Sequence, residues 1–274
     1  MGPRMLIDGV AGEVVPALDR GLCYGDGLFE SVRFEGAHAP LWSRHMQRLR
    51  EGCDRLAIAA PDAAVLLEEA RAVSRGMPRA AVRITVTRGV GERGYAPPAV
   101  PVPRRVVAAF DLPMPGAEAL VHGVRVRRCR LQLSEQPLLA GIKHLNRLEQ
   151  VLARAEWSDS TIAEGLLCDA AGRVICATMA NLFAVMDGQL VTPSLKRCGV
   201  AGVARAEVLA VQAAAQVRDI GFDELIRAEE VFLSSSIRGI LPVQSVGAKV
   251  FAPGTFARGL QRHWRNLGFT LEQA

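Results

Sequence analysis

Several features are missing from this chain, and each absence excludes a class of protein. No stretch of its 274 residues approaches the roughly 18–20 uninterrupted apolar residues of a membrane-spanning helix. The first ten residues, MGPRMLIDGV, lack the apolar run of a secretory signal. The six cysteines (Cys23, Cys53, Cys129, Cys168, Cys176 and Cys198) form no CxxC pair and no Cys/His cluster with zinc spacing. Free thiols are therefore expected rather than disulfides or a metal site. Aromatic residues make up only 5% of the chain and do not interleave with its basic runs, which argues against a nucleic-acid surface. There is no internal repeat, and Gly and Pro are scattered. The expectation is a soluble, cytoplasmic globular protein with no metal, membrane or nucleic-acid partner.

What is present suits an enzyme of ordinary build. Half of the residues are hydrophobic, enough for one large domain or two modest ones. The 33 basic and 28 acidic residues leave a net charge of +5, a modest bias toward a small anionic substrate.

The periodicity alternates between strand and helix. "LFESVRFEG" and "HAPLW" read as a hairpin around Glu35-Gly36. "SRHMQRLREGCDRLAI" has the apolar spacing of a helix, with Ser43 as N-cap. "DAAVLLEEARAVSRG" reads as a second helix ended by Gly76. "AAVRITVTRG" and "RRVVAAFDL" are rich in β-branched residues, as strands are. "PMPGAEAL", residues 113–120, is the best linker. The strand "VRVRRCRL" follows it, then a helix beginning near Lys143 with Leu145, Leu148 and Leu152 as its apolar stripe. Four short strands come next, "EGLLCD", "GRVICAT", "ANLFAVMDG" and "QLVTP". A helix, "GVARAEVLAVQAAAQV", a strand, "EEVFLSSS", and a closing helix, "FARGLQRHWRNLGF", complete the chain. The class is α+β (mixed α/β), with a smaller N-terminal α/β domain over 1–115, a larger domain over 116–274, and a cleft between them.

Four segments could carry chemistry. Lys143, in "LLAGIKHLNRLEQ", would feel the positive end of a helix dipole, which favours a neutral, nucleophilic amine. The segment alone fits a solvated lysine better. "RCGVAGVARAEV" places two glycines before a helix, the arrangement of either an anion site or a plain tight turn. The serines of "FLSSSIRG" can bind phosphate or simply satisfy a strand end. "DRGLCYGDGLFES" reads as a glycine-rich loop lining a cleft, or as a structural turn.

In this order, the segments resemble the fold-type IV pyridoxal-phosphate enzymes. That family includes branched-chain and D-amino acid aminotransferases and 4-amino-4-deoxychorismate lyases. "DRGLCYGDGLFE", "HMQRL", "TRGVGERGYAPP", "GIKHLNRLEQ", "GRVICATMANLF", "TPSLKRCGVAGVAR" and "EEVFLSSSIRGILPV" carry the likeness over nearly the whole chain. "KHLNRLEQVL" and "RGYAPP" are more similar to the lyase branch. The resemblance implies a homodimer that uses pyridoxal 5'-phosphate to convert 4-amino-4-deoxychorismate to 4-aminobenzoate and pyruvate, a step of folate synthesis. An aminotransferase, or a cofactor-binding homologue with impaired catalysis, are its alternatives. It implies that Lys143 bears the cofactor and shuttles the proton, and that Arg48 holds the phosphate with the N–H groups of Val203 and Ala204 and the Ser236 hydroxyl. Arg93 and Tyr95 would lie near a substrate carboxylate, with Tyr24 and Phe29 lining the pocket. The chain departs from the pattern once. Where the family has a glutamate on the cofactor's pyridine nitrogen, five residues before Asn181, it has Cys176.

Overall fold

The structure, a computed structural model, describes residues 4–112 and 114–271. It divides into two compact units, one comprising residues 1–112 with 142–146, the other 113–141 with 147–274.

The first unit runs β1 (Met5–Ile7), β2 (Val10–Ala11), α1 (Arg20–Tyr24), β3 (Gly27–Glu35), α2 (Trp42–Leu56), α3 (Ala63–Val73), β4 (Arg79–Thr87) and β5 (Arg104–Asp111). Its sheet is antiparallel throughout, in the order β2-β1-β5-β4-β3. Along β4 the alternation in AAVRITV puts Ala80, Val82, Ile84 and Val86 on one buried face. Met46, Leu49 and Cys53 of α2 and Leu66, Ala70 and Val73 of α3 are buried with the spacing of a helix face. Each large aliphatic side chain so buried contributes roughly 1.5–3 kcal/mol.

The second unit holds α4 (Ala117–Val121), β6 (Val124–Leu133), α5 (Leu148–Arg154), β7 (Ile162–Asp169), β8 (Val174–Ala177), β9 (Asn181–Met186), β10 (Gln189–Pro193), α6 (Val203–Val211), β11 (Gln216–Arg218), α7 (Phe222–Leu225), β12 (Glu230–Ser235), β13 (Gly239–Val246), β14 (Lys249–Val250) and α8 (Thr255–Asn266). Its strands order as β11-β10-β9-β12-β13-β6-β7-β8, with β14 on β13. In a flat sheet β8 and β9 would lie about 24 Å apart, five strand spacings. Only residues 178–180 join them, a link that reaches roughly 13 Å. The sheet must therefore curl. Phe183 stacks on Phe232 at 5.1 Å between neighbouring strands, and Trp264 of α8 is fully buried.

The structure corrects the sequence reading in several places. HAPLW is not a strand: β3 pairs with β4, and of HAPLW only His38 meets β3, in an isolated bridge to Glu35. Helix α2 is capped by Leu41, so Ser43 lies within its first turn. Part of the expected linker is α4, and Pro113 lies outside the described residues. The helix expected near Lys143 begins at Leu148, and Leu148 and Leu152 are 68% and 55% exposed rather than core. The chain around Lys143 is instead held as extended backbone. The Phe29 N–H donates to the Lys143 carbonyl, the Leu145 N–H donates to the Gly27 carbonyl, and Leu28 bridges His144. Pairing with β3 also explains why residues 142–146, expected in the C-terminal domain, group with the first unit.

Candidate active site

In the first unit the chemistry gathers along β3 and the helix after it. Glu30 follows Phe29 on β3 and is fully buried. His45 and Arg48 lie one turn apart on α2 and both reach it. Arg48 Nε donates to Glu30 Oε1 at 2.8 Å and Nη2 to Oε2 at 2.5 Å, while His45 Nδ1 lies 2.7 Å from Oε2. Burial alone would raise the Glu30 carboxyl, but the Arg48 charge and the His45 hydrogen bond outweigh it and take the group down to about 2. Burial lowers the His45 imidazole, against the pull of Glu30, and the positive charges of Arg48 and Lys143 lower it further. Arg48 thus has two of its three guanidinium nitrogens fixed by a carboxylate that stays ionised.

Lys143 is half-buried, with its ammonium 4.3 Å from the centre of the Phe29 ring. The dipole argument for this lysine does not hold, because α5 starts five residues later. The Phe29 ring lies against Lys143, and the lysine's charge is felt at His45.

Tyr24, at the end of α1, packs edge-on against Tyr95 at 5.5 Å, and its hydroxyl accepts the Gly94 N–H at 3.1 Å. Arg93 and Tyr95 are exposed on the long segment between β4 and β5. The structure thus brings together Phe29 with Lys143, and Tyr24 with Tyr95.

In the second unit, Asn181 closes the loop before α6: its Nδ2 donates to the Val200 carbonyl and its Oδ1 accepts the Gly202 N–H. A side chain at Gly202 would meet that oxygen at 2.0 Å, so glycine is required there. Gly202 offers no capping side chain, and the first-turn N–H groups of buried Val203 and Ala204 have no intrahelical acceptor. Opposite Asn181 on β12, the Ser234 hydroxyl is buried without a hydrogen-bond partner among the described residues. Ser236 lies in the turn that follows, which is held by Arg238 paired with the fully buried carboxylate of Glu164. Unfilled donors beside a helix start suit an anion.

Cys176 sits on β8 in an apolar cluster with Cys129, Leu167, Ile175 and Cys198. Burial, with Cys198 and Glu164 adding to it, pushes its thiol up to about 12, so it stays protonated and neutral.

Residues 27–246 match the family model described as amino-transferase class IV. The chain belongs to the class IV aminotransferase family. Among relatives of this class IV chain, an aminodeoxychorismate lyase of Vibrio harveyi is 35% identical over 263 residues, covering 93% of this chain and 97% of that one. The solved 4-amino-4-deoxychorismate lyase of Pseudomonas aeruginosa is 46% identical, with a TM-score of 0.90 over 96% of this chain and 98% of its own. A branched-chain amino acid aminotransferase of Escherichia coli superposes with a TM-score of 0.86 at 25% identity, over 100% of this chain and 97% of that one.

Sequence reasoning missed Glu30 and His45. The signal was an acid among the buried positions of LFESVRF, with a histidine and an arginine three residues apart on the next helix. It also missed the Asn181 clamp and the pairing of Glu164 with Arg238, each of which ties a strand to a loop or turn remote in sequence.

Proposed function

We propose that this class IV aminotransferase homologue is a pyridoxal-phosphate-dependent lyase that converts 4-amino-4-deoxychorismate to 4-aminobenzoate and pyruvate. Identity of 35% and 46% over more than nine-tenths of the chain to two such lyases, against 25% and 30% to two aminotransferase relatives, carries the reading. The residues present fit the cofactor's phosphate: the uncapped N–H groups of Val203 and Ala204 and the orphaned Ser234 hydroxyl are donors awaiting an acceptor. When bound, the cofactor supplies a carbonyl that takes up amines and a ring that accepts electron density.

The chain's own residues divide the remaining work. Lys143 provides the amine that bears the cofactor, and its Nζ removes and returns the proton. Arg48, oriented by Glu30, would supply positive charge to the phosphate, and the N–H groups of Val203 and Ala204 and the Ser236 hydroxyl would donate hydrogen bonds to it. Tyr24 and Phe29 line the substrate pocket, and Arg93 and Tyr95 receive a substrate carboxylate. At the position where the family's glutamate would hold the pyridine nitrogen, this chain would offer Cys176, a buried and protonated thiol. The product ring is aromatic, so its formation favours elimination and lessens the need for an acid on that nitrogen.

Purified protein supplied with cofactor and 4-amino-4-deoxychorismate should release pyruvate and 4-aminobenzoate in equal amounts. Exchange of amino groups with pyruvate or 2-oxoglutarate in place of that release would make it an aminotransferase. Restoring the acid, Cys176→Glu, should raise such amino-group exchange while changing pyruvate release by less than about tenfold, close to 1.4 kcal/mol in barrier. A rise of several orders of magnitude in pyruvate release would mean that the wild-type site is impaired rather than adapted.

The same reading makes the protein a cytoplasmic homodimer of folate synthesis. All six cysteines are free, as suits a reducing compartment, and no helix among the described residues is long and apolar enough to cross a membrane. On α5, Leu148, Val151 and Leu152 form an exposed apolar face at i, i+3 and i+4, which a second copy would cover. Val151→Glu should shift the sedimenting species from dimer toward monomer. An unchanged dimer would remove α5 from the interface.

A further inference from the structure

The segment between β4 and β5, residues 88–103, contains 16 residues without helix or strand of its own. Connections of that length within a compact unit usually serve a function. Such a chain is expected to sample many conformations, yet this one is fastened at its middle by a side chain far away in sequence.

Arg20, on α1, is only 4% exposed. Its Nη1 donates to the carbonyls of Gly94 (3.1 Å) and Ala96 (3.2 Å), its Nη2 to that of Tyr95 (2.9 Å), and its Nε to Asp26 Oδ2 (2.8 Å). Three consecutive carbonyls thus converge on one guanidinium. Carbonyl oxygens so aligned repel one another without a cation among them, so this backbone conformation depends on Arg20. The start of the segment is tied to the same carboxylate. Arg88 binds Asp26 with Nε (2.8 Å) and Nη2 (3.0 Å) and also donates to the carbonyls of Leu56 and Ala57. Gly91 packs on the Arg20 side chain so closely that a methyl group there would lie 2.9 Å from its Cδ. Tyr24 completes the clasp, its ring under the Arg20 guanidinium at 4.9 Å and its hydroxyl on the Gly94 N–H.

The clasp holds backbone and leaves side chains outward. Tyr95 is 86% exposed, and Arg93 is exposed with no carboxylate partner among the described residues. An exposed guanidinium two residues from an exposed phenol, next to a fixed stretch of backbone, is suited to an organic carboxylate, since part of the ordering cost is met before the ligand arrives.

We propose that Arg20 is a positioning residue for substrate specificity: by gathering the carbonyls of Gly94, Tyr95 and Ala96 it presents Arg93 and Tyr95 to a carboxylate of the substrate. The role of Arg93 and Tyr95 rests on the lyase reading above; the clasp itself does not. Lysine cannot replace Arg20 fully, because an ammonium has three donors and lacks the planar fork that meets four acceptors.

The test compares wild type, Arg20→Met, Arg20→Lys and Arg93→Gln as holoenzymes. For Arg20→Met, KM for 4-amino-4-deoxychorismate should rise between about tenfold and about a hundredfold, the scale set by misplacing a binding group. kcat should stay within about threefold and cofactor affinity should be unchanged, which a general loss of folding would not produce. Arg20→Lys should fall between wild type and Arg20→Met, and remains informative if the methionine variant does not fold. Adding Arg93→Gln to Arg20→Met should raise KM little further, because both substitutions remove one recognition event. Native-state trypsin should nick Arg20→Met and Arg20→Lys faster than wild type between residues 88 and 103. Binding of 4-aminobenzoate, measured by equilibrium dialysis, reads carboxylate recognition without turnover. If wild type releases no pyruvate, the lyase reading fails, while the nicking and dialysis measurements still decide on Arg20. Unchanged KM and unchanged 4-aminobenzoate affinity in a folded Arg20→Met protein would overturn the proposal, as would losses in kcat and cofactor affinity as large in fold-change as the rise in KM.

Discussion

Lys143→Ala protein should release pyruvate at least about a thousandfold more slowly than wild type, because the substitution removes the cofactor-bearing amine and the proton carrier together. A general acid–base group alone is worth about 10²–10⁴ in rate, so a loss of only tenfold would point to another proton carrier. Borohydride reduction followed by peptide mass spectrometry checks the assignment without turnover. Wild-type protein loaded with pyridoxal phosphate should carry a stable adduct on the peptide containing Lys143, and the variant should carry none on any lysine. The variant should remain folded. Lys143 is half-buried, its ammonium faces the Phe29 ring, and the hydrogen bonds that hold its segment to β3 come from backbone atoms. An adduct on Lys196 or Lys249 in the variant would move the chemistry away from β3 and sink the assignment.

The path to Lys143 shows what a sequence can reveal here. Elements whose pattern and burial agree were legible: β4, rich in β-branched residues, and the helix α3 within DAAVLLEEARAVSRG. The segment around Lys143 was not, because two signals conflict. The leucines at 145, 148 and 152 have helical spacing, yet the backbone from 143 to 145 is claimed by β3, a partner more than a hundred residues earlier. Periodicity also shows that a face is apolar without showing what covers it: Leu148 and Leu152 do lie on an apolar stripe, but this chain leaves them exposed. Candidate residues were found through their resemblance to a family. The groups that hold them still, Glu30 behind Arg48, Asn181 before α6 and Arg20 beneath Gly94–Ala96, are long-range contacts between polar side chains. Local patterns do not encode such contacts.

Glu30 tests one of those hidden groups by stability alone, with no cofactor present. Its carboxyl stands at about 2 in the fold against an ordinary 4.5, because Arg48 and His45 together outweigh its burial. A carboxyl whose folded pKa is depressed stabilises the protein above its unfolded value, and that stability is lost as pH falls toward the folded value. The contribution is therefore whole at neutral pH, declines below about 4.5 and is gone near 2, and it amounts to roughly 3 kcal/mol. Glu30→Gln keeps the shape, removes the charge, and leaves the Arg48 guanidinium, whose side chain is 12% exposed, without its counter-ion. The apo variant should lose about 3 kcal/mol in urea unfolding at about pH 7. The gap to wild type should narrow as pH drops below about 4.5, because protonation then does to wild type what the substitution has done already. An equal gap at about pH 3.5 and about pH 7 would show that the loss comes from packing rather than charge. Glu30→Asp adds a separate control. It retains the charge but is one methylene too short for both Arg48 contacts, so it should recover part of the stability while holding Arg48 less firmly. If Arg48 binds the cofactor phosphate, Glu30→Asp should weaken pyridoxal phosphate more than unphosphorylated pyridoxal.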